Sequence, residues 1–403
     1  MFRKDAIKLY ILGFIALALT IWVFTRQYTK DWGDYQAEFR DYVAEKFGED
    51  RAEQVPSGIQ QIWVKDLDRV DRCITCHQGM QWKGLENAPN PYKSHPTEIL
   101  EKHPLESFAC TTCHGGQGFA TELPAAHGSV EFWEQPLLGA EISSDFLVRD
   151  PKALMQTNCN SCHRYERETK GADYINLAKE LVQKNNCRAC HVINGRGGSI
   201  GPDLTFVGDK SAEQYDYSRL GGRPTIFGWH VAHFQNPKMV SPETVMPNFN
   251  LSSKDAQALA LLVMSWRRGF VPAHYVPGVE LRDVPTQAEV ESEQRMLQGE
   301  GAFFVKKGCF TCHAVTSLGV DSASKIGPDL SEAVTDVQSR FGRTLDDFFM
   351  NPTGTMSVVL STQIILTPEE RRQAIELMKL AYQRKQENQS KTAAPATPQP
   401  AGK

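Results

Sequence analysis

The chain has 403 residues, a formal charge of −4 and 41% hydrophobic residues. That length admits two or three domains with real cores, and the acidic balance argues against nucleic acid as a partner.

The first element is an apolar run from Leu9 to Phe24, bounded by Lys8 and Arg26. With Ala6 and Ile7 it approaches the roughly 17–25 residues that cross a bilayer. Residues 1–30 are therefore expected to form a single-pass anchor. Arg3, Lys4 and Lys8 precede the run and acidic residues follow it, which keeps the N-terminus on the cytoplasmic side of a bacterial cytoplasmic membrane. A cleaved signal peptide, cut near Ala16-Leu17-Ala18, is the competing reading. It would leave an apolar stub exposed. Both readings export the rest of the chain to the periplasmic face.

From Asp31 to Phe47 the apolar residues Trp32, Tyr35, Phe39, Tyr42, Val43 and Phe47 recur at spacings of three and four, which predicts one helical face. That face packs on its own domain or docks on a membrane partner. Beyond it the chain is rich in Pro, Gly and His and shows little periodicity, a texture of few regular elements.

All ten cysteines fall in Cys-x-x-Cys-His pentapeptides. These are Cys73, Cys76 and His77; Cys110, Cys113 and His114; Cys159, Cys162 and His163; Cys187, Cys190 and His191; Cys309, Cys312 and His313. Each pattern predicts covalent attachment of a c-type haem, with two thiols holding the porphyrin and the histidine ligating iron. A disulfide framework does not require a histidine after every second cysteine. Zinc sites have no use for it either. Five covalently bound haems are expected, and with them electron-transfer chemistry.

From about Asp173 an internal repeat appears. ELVQKNNCRACHVI is followed by Gly-Pro-Asp-Leu at Gly201–Leu204, then Phe-Gln-Asn-Pro, a methionine loop and a helix over 252–268. AFFVKKGCFTCHAV is followed by Gly-Pro-Asp-Leu at Gly327–Leu330, then Phe-Met-Asn-Pro, a methionine loop and a helix over 368–385. The proline-rich stretch Phe270–Pro285 reads as the linker between them. The Ala/Pro/Gln-rich residues 388–403 are expected to be disordered.

These motifs resemble class I monohaem cytochrome c domains. The resemblance implies that a proline carbonyl in each Gly-Pro-Asp-Leu turn accepts from the proximal histidine, Pro202 for His191 and Pro328 for His313. The earlier half is similar, through CHGGQG and AHG, to multihaem cytochrome c subunits of membrane quinol-oxidising complexes. The expected fold is mainly α: an anchor over 1–30, an irregular trihaem domain over 31–172, tandem class I cytochrome c domains over 173–275 and 286–387, and a tail over 388–403.

Five of the eleven histidines are proximal ligands. His95, His103 and His127 lie in the trihaem segment and are expected to be distal ligands, although one of them could instead serve the surface or a propionate. Their pairing with particular haems is not readable. No histidine follows His313, which leaves Met350 and Met356 in its loop. Met350 lies in the helix before Asn-Pro, where a core residue is expected, so Met356 is favoured. In the first repeat Met246, before Pro247, takes the equivalent place, with His230, His233 and Met239 as competitors.

Thioether ligation raises a haem potential relative to imidazole, so electrons are expected to run from the trihaem end toward the two repeats. The reading is an electron-transfer subunit of a quinol-oxidising, cytochrome bc-like respiratory or photosynthetic complex. Its partners would be integral-membrane subunits of cytochrome b type and a soluble or membrane electron acceptor. The alternatives are a multihaem reductase with an open iron site for nitrite, hydroxylamine or peroxide, and a cytochrome c subunit of a terminal oxidase or nitric oxide reductase.

Overall fold

The computed structural model describes residues 2–28, 31–130, 133–138, 148, 150, 152–269, 271–279, 287–322 and 326–393. Among them helices dominate, and the one sheet is a two-stranded antiparallel hairpin, Ile62–Val64 against Arg69–Asp71. The backbone divides into two units, Met1–Asp145 with Arg149–Asn158, and Phe146–Val148 with Cys159–Lys403. The third pentapeptide thus clusters with the two repeats.

In the first unit a helix spans Phe2–Tyr28. Its window Arg3–Thr25 has a mean hydropathy of 2.2 and is not buried within the protein, so it is long and apolar enough to cross a membrane. The next helix is Asp31–Phe47. Phe39 and Val43 are fully buried in a core with Ala52, Val55, Leu85, Ala88 and Tyr92, while Tyr35, Tyr42 and Phe47 pack around it. The apolar face predicted for this helix therefore covers its own unit. Past it come short helices and turns in place of long elements, as the Pro/Gly-rich texture dictates.

In the second unit each repeat has its own core. The helix Asp173–Lys184 buries Ile175, Ala178 and Leu181. It packs on the closing helix Ser253–Ser265, as does the helix Ile226–Gln235. Ser252 caps that closing helix, its hydroxyl accepting from the Asp255 N–H at 3.2 Å, which fixes the start that sequence puts there. The second repeat buries Phe304, Val315, Val320, Phe348, Ile375 and Met378 around the helix Pro368–Ala393. That helix runs past Lys385 into the stretch expected to be disordered. Residues 394–403 lie outside the described residues, as do 270 and 280–285 of the linker.

Candidate functional site

All five pentapeptides fold into the same local structure. The histidine N–H donates to the carbonyl of the first cysteine, at 2.9 Å in the first two turns and 3.0 Å in the other three. This is one helical turn. It brings residues i, i+3 and i+4 to one face, so each pair of thiols and its imidazole stand together. None of the ten cysteines is in a disulfide. Burial pushes the Cys187 thiol up to about 12 and the Cys309 thiol up to about 11. Buried neutral thiols are poor nucleophiles and poor ligands for a hard ion. Among the described residues no cluster of three or more His, Cys, Asp or Glu side chains suits a metal ion.

The two repeats agree bond for bond. His191 Nδ1 faces the Pro202 carbonyl at 2.8 Å, and His313 Nδ1 faces the Pro328 carbonyl at 2.8 Å, as expected. Gly201 N–H donates to Cys190 O at 2.8 Å and Gly327 N–H to Cys312 O at 2.9 Å. A Cβ on Gly201 would stand 2.4 Å from His191 Cε1, and one on Gly327 would stand 2.3 Å from His313 Cε1. The glycine of Gly-Pro-Asp-Leu is there because the backbone presses on the imidazole. Burial lowers the pKa of both histidines, keeping them the neutral imidazoles that a metal needs.

The third turn departs from this pattern. His163 Nδ1 meets the Glu166 carboxylate at 2.5 Å. Lys179, on the leading helix of the first repeat, donates to the carbonyls of both His163 and Glu166 at 2.7 Å. Burial pushes Lys179 down to about 8. Asn160, 1% exposed, donates to Ser265 Oγ at 2.7 Å and ties this turn to the closing helix. Sequence reasoning passed over Glu166, although a carboxylate three residues after the histidine was the available signal.

In the first unit, Asp71 is fully buried. Its Oδ2 accepts from the backbone N–H groups of Cys110 and Thr111 at 2.6 and 2.8 Å and from the Thr111 hydroxyl at 3.2 Å. The residue two before Cys73 therefore holds the opening of the second turn. Asp71→Ala would strand two buried N–H groups, a loss of about 2–4 kcal/mol. Chemical denaturation should place the variant that far below the wild type, and an unchanged midpoint would refute the role of Asp71.

Among the histidines expected as further ligands, His127 has its ring centre 6.3 Å from that of His77, and His95 has its ring centre 6.1 Å from that of His114. The His103 ring packs on Phe108 at 4.9 Å. In the first repeat Met246 Sδ and His233 Nε2 are 3.2 Å apart, and the His233 ring stacks on Trp229. Burial pushes His233 down to about 4, helped by His191 nearby. His230, 5% exposed, is spoken for by the Tyr215 hydroxyl at 3.0 Å. Met239 is exposed. In the second repeat Met356 is half-buried against the core, at the start of the helix Thr355–Thr362. Met350 is 44% exposed, so the core position expected for it is not where the chain puts it.

Residues 175–266 match the family model for cytochrome c. No curated protein and no solved structure matches the chain. A cytochrome c domain carries covalent c-type haem and works in electron transfer. The residues present fit that group: two free thiols and a neutral imidazole share one face of a turn, with the imidazole's outer nitrogen already engaged.

Proposed function

We propose that the chain is a membrane-anchored pentahaem c-type cytochrome, an electron-transfer subunit of a quinol-oxidising complex of the cytochrome bc-like kind. Five turns of one geometry carry this reading, because the turn at Cys187–His191 inside the cytochrome c domain is repeated at the other four pentapeptides. The ten cysteines hold the haems, and His77, His114, His163, His191 and His313 are the proximal ligands. His95, His103 and His127 serve the earlier sites, and Met246 and Met356 serve the two repeats.

When bound, each haem supplies a one-electron couple whose potential is set by its axial ligands. The chain's residues do the rest. Pro202 and Pro328 fix the proximal rings, and the apolar cores exclude water. The apolar helix Phe2–Tyr28 holds the sites on the outer face of the membrane. The chain itself offers one such helix among the described residues, so an integral-membrane partner oxidises the quinol.

Intact mass of the protein as isolated is expected to exceed the polypeptide by five haems, with the pigment retained through acid–acetone extraction. Redox titration of the same preparation should resolve two high-potential His/Met haems above the others. Fewer additions, or extractable pigment, would overturn the reading.

A further inference from the structure

The axial ligands of the first unit are not arranged in sequence order. Resting on the reading of Cys73–His77 and Cys110–His114 as haem sites, we infer that they are closed crosswise, His127 completing the first site and His95 the second.

The distances carry it. A metal held between two imidazoles through bonds of about 2 Å on each side separates the ring centres by roughly 6 Å. His77 with His127 stands at 6.3 Å, and His114 with His95 stands at 6.1 Å. His103 fits neither place: its ring packs on Phe108, and its Nδ1 faces the Ile99 carbonyl at 3.2 Å.

The backbone explains how each distal ring reaches the other site. The His95 N–H donates to the Met80 carbonyl at 2.9 Å, so His95 is pinned to the segment that follows the first turn while its ring meets His114 of the second. His127 ends the short helix Leu123–Ala126, and the Gln117 N–H donates to the Ala126 carbonyl at 3.4 Å. His127 is thus pinned by the loop that follows the second turn, while its ring meets His77 of the first. Gly116 permits this packing, since it sits at φ +86° and a Cβ there would lie 3.2 Å from the Ala126 carbonyl. Arg72 N–H donates to Gly118 O at 2.8 Å, and Asp71 holds the Cys110 N–H, so the two turns are fastened to each other as well. Two sites built this way share a single scaffold.

The ring planes make the pairs distinguishable. His95 and His114 are nearly perpendicular, at 89°, whereas His77 and His127 are inclined at 42°. Perpendicular imidazole planes leave the two π-type d orbitals of a low-spin ferric ion close in energy. That haem gives an EPR signal of unusually large g anisotropy.

The experiment uses the full-length holoprotein and the variants His95→Met and His127→Met. Each variant is expected to convert one haem from bis-imidazole to imidazole–thioether coordination, with a new near-infrared charge-transfer band and an upward shift of that haem's potential. His95→Met should abolish the large-anisotropy signal, and His127→Met should leave it in place. His95→Gly and His127→Gly, each titrated with free imidazole, serve if a methionine variant fails to fold, and imidazole should restore the signal its histidine supported. Unchanged spectra in either variant would overturn the assignment, as would both variants altering one haem, or His103→Met removing the signal. Intact mass of the wild type separates that outcome from failure of the pentahaem reading: with all five haem additions present, those spectra overturn the pairing alone, whereas a missing addition at these cysteines sinks the reading it rests on.

Discussion

Glu166→Gln is expected to raise the potential of the haem proposed at Cys159–His163 and of no other. Both Pro202 and Pro328 present neutral carbonyls to their histidines, whereas His163 meets a carboxylate. A carboxylate draws the Nδ1 proton toward itself and makes the imidazole a stronger donor, which favours the ferric state. The amide of glutamine can still accept that hydrogen bond but carries no charge. Charge-assisted hydrogen bonds are roughly twice as strong as neutral ones, a difference of about 1 kcal/mol. For one electron, 59 mV corresponds to a tenfold change in equilibrium constant, so the rise amounts to some tens of millivolts. Spectroelectrochemical titration of wild type and variant measures it. A fall, or a rise spread over several haems, would show that the carboxylate does not act through His163. Neighbouring groups hold the carboxylate against the ring, since Lys179 clamps the carbonyls of both residues and the Thr169 hydroxyl lies 3.4 Å from the same carboxylate oxygen.

Gly327→Ala is expected to destabilise the second repeat by about 2–4 kcal/mol, from overpacking together with loss of the His313–Pro328 hydrogen bond. The new methyl would stand 2.3 Å from the ring of His313, so either the imidazole turns or the Gly-Pro-Asp-Leu turn backs away. Turning the imidazole releases the Pro328 carbonyl, which now lies 2.8 Å from Nδ1. On the proposed reading of that ring as the proximal ligand, the fault is also expected in the spectrum as a mixed or weakened axial field. Thermal unfolding followed at the Soret band reports both effects. Gly299→Ala is the control: its Cβ meets nothing nearer than 3.6 Å, so its stability should stay within about 0.5 kcal/mol of wild type. Equal melting of Gly327→Ala and wild type would refute the argument. Gly201→Ala in the first repeat follows the same logic.

Local and periodic features were the legible part of this chain. The pentapeptide spacing encodes a single helical turn, so it survives whatever surrounds it, and all five turns form. The helix Asp31–Phe47 and the capped start at Ser252 rest on side chains a few residues apart. The Pro202 and Pro328 contacts were foreseeable through the resemblance of both repeats to class I cytochrome c domains, which implies them. The illegible part depends on groups distant in sequence. Asp71 reaches Cys110 and Thr111 across the fold, and no pattern near Asp71 marks it. The partners of His95 and His127 are likewise set by where the Met80 and Gln117 segments lie, which only the folded backbone fixes. Met350 was misjudged for a related reason. The helix Leu345–Met350 turns Leu345, Phe348 and Phe349 inward, leaving its last residue outside.

Asp71 and Arg72 lead into the first turn and hold the backbone beside the second, so the two turns should open together and not one at a time. On the reading of both as haem sites, a vacancy at either one would then slacken its neighbour, and a single defect would interrupt two carriers at once.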